Sequence, residues 1–174
     1  MSVTGLDVFD KSIQTTNIWL NDITAQIGPN RQVAWHVLGA VLRALRDSLP
    51  AQLSAHLSAS LPLIVRGAYY DQYRPPAHGK LIDTAEDFIE YVAEELADTR
   101  ALNPSQSIRA VLHVLNHYLP PGLVAKVQQA LSYRIRSLWP GHDNREAARP
   151  LTNEERRLWH TSRTRTGARA AQHW

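Results

Sequence analysis

Pairs of histidine and glutamate at helical spacing are the first residues in this chain that could do chemistry. His113 and His117 lie four residues apart, the spacing that lets two imidazoles on one helix bind the same metal ion. No glutamate stands between them as in a metalloprotease helix, and no third ligand is evident. Glu86, Glu90 and Glu94 line one helical face, but the chain lacks the Glu-x-x-His motif of di-iron bundles. For the histidine pair and for the glutamates we favour the interpretation that the side chains face solvent. We therefore expect no metal and no cofactor.

Motifs for phosphate binding and for nucleophilic catalysis are missing. Gly79-Lys80 is followed by Leu81, where a phosphate-binding loop needs serine or threonine for magnesium, and the eight glycines form no GxGxxG motif. There is no GxSxG elbow to present a serine nucleophile. The absence of cysteine excludes disulfides, thiol nucleophiles and cysteine-ligated zinc. The sequence therefore identifies no catalytic residues and leaves enzymatic function open.

A polar-aromatic segment, RGAYYDQY at residues 66–73, is the strongest candidate for a binding surface. On a helix Arg66 could stack on Tyr70, and Tyr69 could reach Tyr73, because both pairs are four residues apart. The tyrosines either fill the junction between two halves of the molecule or bind a partner, since Tyr and Arg concentrate binding energy. We call the candidate set the tyrosine–arginine patch, and it comprises Arg66, Tyr69, Tyr70, Tyr73, Arg136 and Trp139.

The C-terminal extension, residues 141–174, carries the whole net charge of +3. It holds seven arginines and four acids, whereas residues 1–140 hold 12 basic and 12 acidic residues. A capping box at 152–155 predicts a short helix near 153–160.

Three arginines near the end of this extension could contact nucleic acid. Arg163, Arg165 and Arg169 meet no acid before Trp174, so they could neutralise phosphates while Trp174 stacks on a base. The alternative is a solubilising tail, because residues 1–140 are neutral and offer no broad basic surface.

The elements that must position these residues recur along the chain. Residues 40–50 (AVLRALRDSLP) and 110–120 (AVLHVLNHYLP) are identical at six of eleven positions without a gap. The same offset of 70 pairs Arg66 with Arg136. In both segments the apolar residues, including Leu45 and Leu115, fall at helical spacing on one face. The pattern predicts matching helices packed through these apolar faces.

Two sequence signals predict where helices of the second repeat begin. Thr84 followed by Asp87 resembles a capping box, in which the two side chains bond to each other's backbone amides. Asn103-Pro104 offers an N-cap followed by proline at the first helical position.

Prolines predict the breaks between helices. Pro50 and Pro120 should each end one helix and begin the next, and Pro62 should split the following segment into short helices near 51–60 and 62–73. At the position that matches Pro62 the second repeat has Ser132, which permits one uninterrupted helix.

No segment alternates apolar and polar residues over strand length, so the fold class is all-α. We expect a helical bundle of two pseudo-symmetric repeats with about four helices each, repeat one near 7–75 and repeat two near 84–140. They would form a single helical domain over residues 1–140, with 74–83 as the connection. No apolar stretch approaches membrane length, so we expect no membrane span, no secretion signal and a cytoplasmic location.

Four segments form a recognisable combination: GLDVFDK at 5–11, residues 40–50, LPLIVRGAYY at 61–70 and RSLWP at 136–140. Through these segments residues 5–140 resemble the bacterial family DUF2267, a domain of unknown function. The family usually has Gly-Trp where this chain has Gln72-Tyr73. The resemblance implies an all-helical, prokaryotic, soluble protein associated with stress-response gene neighbourhoods, and it implies no catalytic residues.

Three functions stay open on these grounds. The first is a non-enzymatic helical protein-interaction module, acting at a groove between the repeats or through self-association. The second is weak nucleic-acid binding through the arginine-rich extension, and the third is a small-molecule or metal-dependent enzyme at the repeat interface. We favour the first because the helices are well patterned while no catalytic constellation is evident.

Overall fold

The computed structural model describes residues 4–74, 82–99 and 102–141, all within the unit Met1–His142. Within these ranges the chain forms eight α-helices and no β-strand, which confirms the all-α prediction. The helices are α1 Asp7–Ile27, α2 Arg31–Ser48, α3 Ala51–Ala59, α4 Leu63–Tyr70, α5 Ala85–Glu95, α6 Pro104–Tyr118, α7 Pro121–Ala130 and α8 Tyr133–Arg136. None of the helices in the described part is long and apolar enough to cross a membrane. The division into a domain at 1–140 and an extension stays a prediction.

Both predicted helix starts of the second repeat are confirmed. At α5 the Asp87 amide donates to Thr84 Oγ1 at 3.0 Å and the Thr84 amide donates to Asp87 Oδ2 at 3.3 Å, which completes the capping box. At α6 the side chain of Asn103 accepts from the Gln106 amide at 3.2 Å. These bonds satisfy amides that have no partner within their own helix.

The prolines break the helices where the sequence predicts. Pro50 and Pro120 are the N-cap residues of α3 and α7, and Pro62 is the N-cap of α4.

The sequence reading of an uninterrupted helix through Ser132 is wrong. The chain breaks after Ala130, and Ser132 becomes the N-cap of α8. Its hydroxyl accepts from the Ile135 amide at 3.4 Å and donates to the carbonyl of Asp83 at 2.6 Å. At Ser132 the helix therefore ends because a side-chain hydroxyl contacts a distant segment. At the matching position of the first repeat the ring of Pro62 interrupts the helix instead.

One hydrophobic core joins α1–α4 to α5–α8. Helix α2 lies near its centre and packs against α1, α3, α4, α5 and α6. Leu45 on α2 and Leu115 on α6 are both fully buried, as the apolar pattern predicts. Each such leucine contributes about 1.5–3 kcal/mol through its burial.

The last two helices of each half begin at positions that correspond at the offset of 70 residues. Helix α3 begins at Ala51 and α7 at Pro121, and α4 begins at Leu63 and α8 at Tyr133. The halves differ in length at their ends, because α4 has 8 residues and α8 has 4. Superposition of the two halves as a true repeat stays a prediction.

Candidate functional site

Four residues of the tyrosine–arginine patch gather where α3 meets α4. The guanidinium of Arg66 donates to the carbonyls of Ser58, Ala59 and Leu61 at 2.9, 3.1 and 3.2 Å. Ser58 and Ala59 are the last two residues of α3 and Leu61 follows shortly after it, so Arg66 caps the C-terminal end of this helix.

The tyrosine contacts differ from the four-residue pairs that the sequence suggests. Helix α4 ends at Tyr70, so Tyr73 is not on it, and the ring pairs are Tyr69 with Tyr70 at 5.1 Å and Tyr70 with Tyr73 at 5.8 Å. Tyr69 is fully buried, and its hydroxyl bonds to the side chain of Ser54 at 2.6 Å. Burial raises the pKa of Tyr69 to about 12. This ring is therefore part of the core, and Tyr70 and Tyr73 are the exposed members.

The other two residues of the patch lie where α7 meets α8. Arg136 donates to the carbonyl of Leu131 at 3.2 Å, and the indole of the buried Trp139 donates to Asn116 Oδ1 at 2.6 Å. These contacts do not involve Arg66 or Tyr70. Partner binding by the tyrosine–arginine patch stays a prediction.

The remaining sequence candidates lie on the surface or outside the described ranges. His113, His117, Glu86, Glu90 and Glu94 are exposed, as the sequence indicates. The described residues contain no group of three or more His, Asp or Glu side chains placed to hold one metal ion. The candidate nucleic-acid contacts lie outside the described residues, namely Arg163, Arg165 and Arg169. Their role in nucleic-acid binding stays a prediction.

An open trench follows the outer surface of α2, and sequence reasoning did not identify it. Two adjoining cavities of about 360 and 420 Å³ share Arg43 and Asp71 as lining residues. Four α2 residues follow one another along the floor at four-residue intervals, the row in which side chains form a ridge on a helix. We call this feature the α2 trench, and these four residues are Trp35, Gly39, Arg43 and Asp47.

One end of the α2 trench lies between α2 and α4 and holds its apolar lining residues together with His36; we call it the apolar end. Trp35 and Ile64 line it, and Ile64 is 39% exposed. Gly67 and Ala68 line it on the same helix as Ile64, and a Cβ atom built on Gly67 would have no neighbour within 4 Å. This end therefore has apolar sides and unfilled space between them.

The other end of the α2 trench contains a buried arginine. Arg46 holds both oxygens of Asp47 at 2.7 and 3.1 Å and also donates to the carbonyls of Tyr69 and Asp71 at 2.8 and 3.0 Å. Its guanidinium lies over the ring of Tyr73 at 4.9 Å. Burial lowers the pKa of Arg46, but the hydrogen bond and charge of Asp47 outweigh burial and raise the pKa overall. A permanent cation thus ties the end of α4 to α2.

At this end of the α2 trench a second ion pair links the two halves of the molecule. Arg43 on α2 binds Glu95 on α5, with Nη2 to Oε2 at 2.5 Å and Nε to Oε2 at 3.1 Å. The Arg43 guanidinium lies 2.9 Å from where a Cβ atom of Gly39 would stand, so the missing side chain leaves room for it. Tyr91 lies beside this pair, and burial together with the charges of Asp47 and Glu95 raises its pKa to about 12.

The side chains that line the α2 trench are better suited to binding a ligand than to catalysing a reaction. Arg46 and Arg43 are already neutralised by Asp47 and Glu95, and Tyr91 stays protonated at ordinary pH because its pKa is about 12. The apolar end supplies contact area, and the charged end supplies fixed hydrogen-bonding groups. The trench can therefore receive an extended or helical segment with an apolar side and a polar end.

The fold and the trench define a class, namely a small all-helical domain with an open, ion-paired groove on its central helix. Within that class the chain belongs to the family DUF2267, described as "Uncharacterized conserved protein", whose model matches residues 16–138. The resemblance seen in the sequence is therefore confirmed, and the matched residues include the whole α2 trench. No curated protein matches this chain.

Proposed function

We propose that this chain is a non-enzymatic protein-interaction module that binds a helical segment of a partner protein in the α2 trench. The observation that carries the proposal is the surface of α2 between α4 and α5, which the described residues leave open. Trp35 and Asp47 are twelve residues apart on the helix, so the trench floor is about 18 Å long. That length accommodates about three turns of a partner helix, which is the usual size of a helix-in-groove contact.

The lining of the trench defines the chemistry of the partner. Trp35 and Ile64 favour a large apolar side chain, because aromatic and aliphatic pockets bind the anchor residues of amphipathic helices. Asp71 and Arg74 line the charged end, and neither side chain has an ion-pair partner within the described ranges. A partner helix with an apolar side and one charge of each sign would complement both ends.

The cellular setting belongs to the same proposal. We place the module in the bacterial cytoplasm, with a link to stress responses, because the family resemblance implies a prokaryotic protein of that kind. The lack of cysteine is compatible with a reducing compartment.

A selection from displayed helical peptides tests this function without a known partner. Peptides of about 15 residues with randomised apolar and charged positions are selected on the full chain. The test variant is Gly67→Leu, which fills the trench where the structure leaves space. Its matched control is Gly122→Leu on α7, because that glycine is also exposed, helical and without a neighbour within 4 Å.

The two variants should differ clearly in their affinity for the selected peptides. Selected peptides should bind Gly67→Leu at least about tenfold more weakly than the wild type, because a filled apolar pocket costs the anchor its contacts. Gly122→Leu should bind as the wild type does. Equal binding to both variants would contradict the proposal. Concentration-dependent self-association that Gly67→Leu abolishes would assign the trench to a second copy and overturn the partner assignment.

A further inference from the structure

The outer surface of α6 carries a pair of histidines that the proposed function does not use. His113 and His117 are both exposed and are separated by one helical turn. Side chains four residues apart on a helix have Cβ atoms about 5–6 Å from each other, so two imidazole nitrogens can converge on one ion. Neither imidazole makes a hydrogen bond or an ion pair within the described part of the chain. Both rings therefore keep their nitrogens available.

The backbone that carries the two histidines is held firmly. Val111, Leu112, Val114 and Leu115 lie between and beside them, and all four are buried in the core. A helix fixed along its inner face keeps its outer side chains in register, which reduces the entropy lost when both bind one ion.

A chain of contacts also orients the second histidine. The ring of His117 meets the ring of Tyr118 edge to face at 4.6 Å. Tyr118 stacks on the buried Trp19 at 5.8 Å, and its hydroxyl donates to Asp22 Oδ2 at 2.6 Å. Outer contacts of this kind orient the ligands in metal sites.

The donor atoms that α6 offers determine which metals the site suits. No aspartate or glutamate occurs in residues 102–141, so the donor set of α6 is nitrogen without carboxylate oxygen. Imidazole suits zinc, nickel and copper, whereas magnesium and calcium prefer oxygen.

We propose, contrary to the expectation from the sequence alone, that His113 and His117 form an open surface site for one late first-row divalent ion, namely Zn²⁺, Ni²⁺ or Cu²⁺. Two protein nitrogens leave the other coordination positions to water or to a group from another molecule. The site lies outside the α2 trench and does not depend on the function proposed for it.

Substitution of Arg109 provides a further test of the proposed metal site. Arg109 lies four residues before His113 on the same exposed face of α6. Its positive charge repels an incoming cation, so Arg109→Gln should tighten metal binding, and the gain should shrink as salt is added.

Calorimetric titration with nickel chloride in a non-coordinating buffer tests the site. His113→Ala and His117→Ala should each weaken the tightest binding step at least about tenfold, because chelation by the pair is lost. His36→Ala and His56→Ala serve as controls, since both residues are exposed single histidines on other helices and should leave that step unchanged.

Paramagnetic broadening locates the ion in the same samples. Ni²⁺ should broaden amide signals in the last two turns of α6 first, and the helical circular dichroism of the alanine variants should equal that of the wild type. Unchanged nickel binding in the His113→Ala, His117→Ala double variant would overturn the proposal, as would broadening centred elsewhere. Failure of the α2 trench to bind peptides would leave both results unaffected.

Discussion

Arg66 and Arg136 make the same contact 70 residues apart. Each guanidinium donates from Nη2 to the carbonyl of a buried leucine five residues earlier, Leu61 or Leu131, at 3.2 Å in both cases. Each also reaches the carbonyl seven residues earlier, Ala59 at 3.1 Å and Gln129 at 3.5 Å. The repeated arginine in the sequence thus corresponds to a repeated C-terminal cap, on α3 and on α7.

Removal of these caps should destabilise the fold unequally. Arg66→Ala should lower the free energy of unfolding by about 1–3 kcal/mol, because three short bonds to helix-end carbonyls are lost. Arg136→Ala should cost less, about 1 kcal/mol, since one of its bonds is long. Urea denaturation measures both, with the exposed Arg109→Ala as control. An Arg66→Ala variant as stable as Arg109→Ala would show that the cap does not contribute.

Gln72 has a backbone conformation that favours glycine. Its φ of 55° lies in the left-handed region, which glycine adopts without steric cost. Gln72→Gly should raise the free energy of unfolding by about 0.5 kcal/mol, because relief of about 1–2 kcal/mol of strain exceeds the extra entropy of glycine in the unfolded chain. Thermal and urea denaturation provide the measurement. Gln72→Ala keeps the strain and should give no gain, so equal stability of the two variants would contradict the explanation.

Arg46 and Arg43 should differ sharply in their effect on stability. Arg46→Ala should cost about 3 kcal/mol, because it leaves two carbonyls and the Asp47 carboxylate without their buried cation. Arg43→Ala should cost up to about 1 kcal/mol, since the Arg43–Glu95 pair is partly exposed. Chemical denaturation compares the two variants directly. A similar loss for both would mean that burial of Arg46 is not what makes it important.

The buried phenol of Tyr69 predicts an alkaline limit to stability. Because burial raises its pKa in the folded state from 10.0 to about 12, the unfolded chain releases this proton first as the pH rises. Stability is therefore complete below pH 10 and falls between pH 10 and 12, by about 2–3 kcal/mol for this residue. Tyr91 acts in the same direction, since its pKa is also raised to about 12.

Urea denaturation between pH 9 and 12 measures this effect. Tyr69→Phe should be less stable than the wild type at pH 7 by about 1 kcal/mol, because the bond to Ser54 is lost. It should also lose less stability between pH 10 and 12. A wild type and a variant with parallel pH profiles would contradict the assignment.

Much of the fold could be predicted from the sequence because its signals are local. The capping residues Thr84 and Asn103 and the helix-breaking Pro50 and Pro120 act on neighbouring residues, so their effect is visible without tertiary contacts. The break at Ser132 could not be predicted, because it depends on the carbonyl of Asp83, 49 residues away.

The site could be predicted only in part, for the same reason. The residue types Arg and Tyr were recognised, but their partners come from other elements: Arg66 contacts the end of α3, and Arg43 contacts Glu95 on α5. Arg46 was not identified, since nothing in its local spacing shows that the end of α4 lies over it. Gly67 on α4 carries a sequence signal for the α2 trench, because its missing side chain leaves open space beside α2.

The most direct test of the central claim is an NMR titration that follows the indole N–H signal of Trp35. A peptide selected on the full chain is added to the wild type, to Gly67→Leu and to Gly122→Leu. Occupation of the α2 trench predicts a saturable shift of the Trp35 signal in the wild type and in Gly122→Leu, whereas Gly67→Leu should need at least about tenfold more peptide for the same shift. A Trp35 signal that stays in place while the peptide binds, or that shifts equally in all three proteins, would contradict the account.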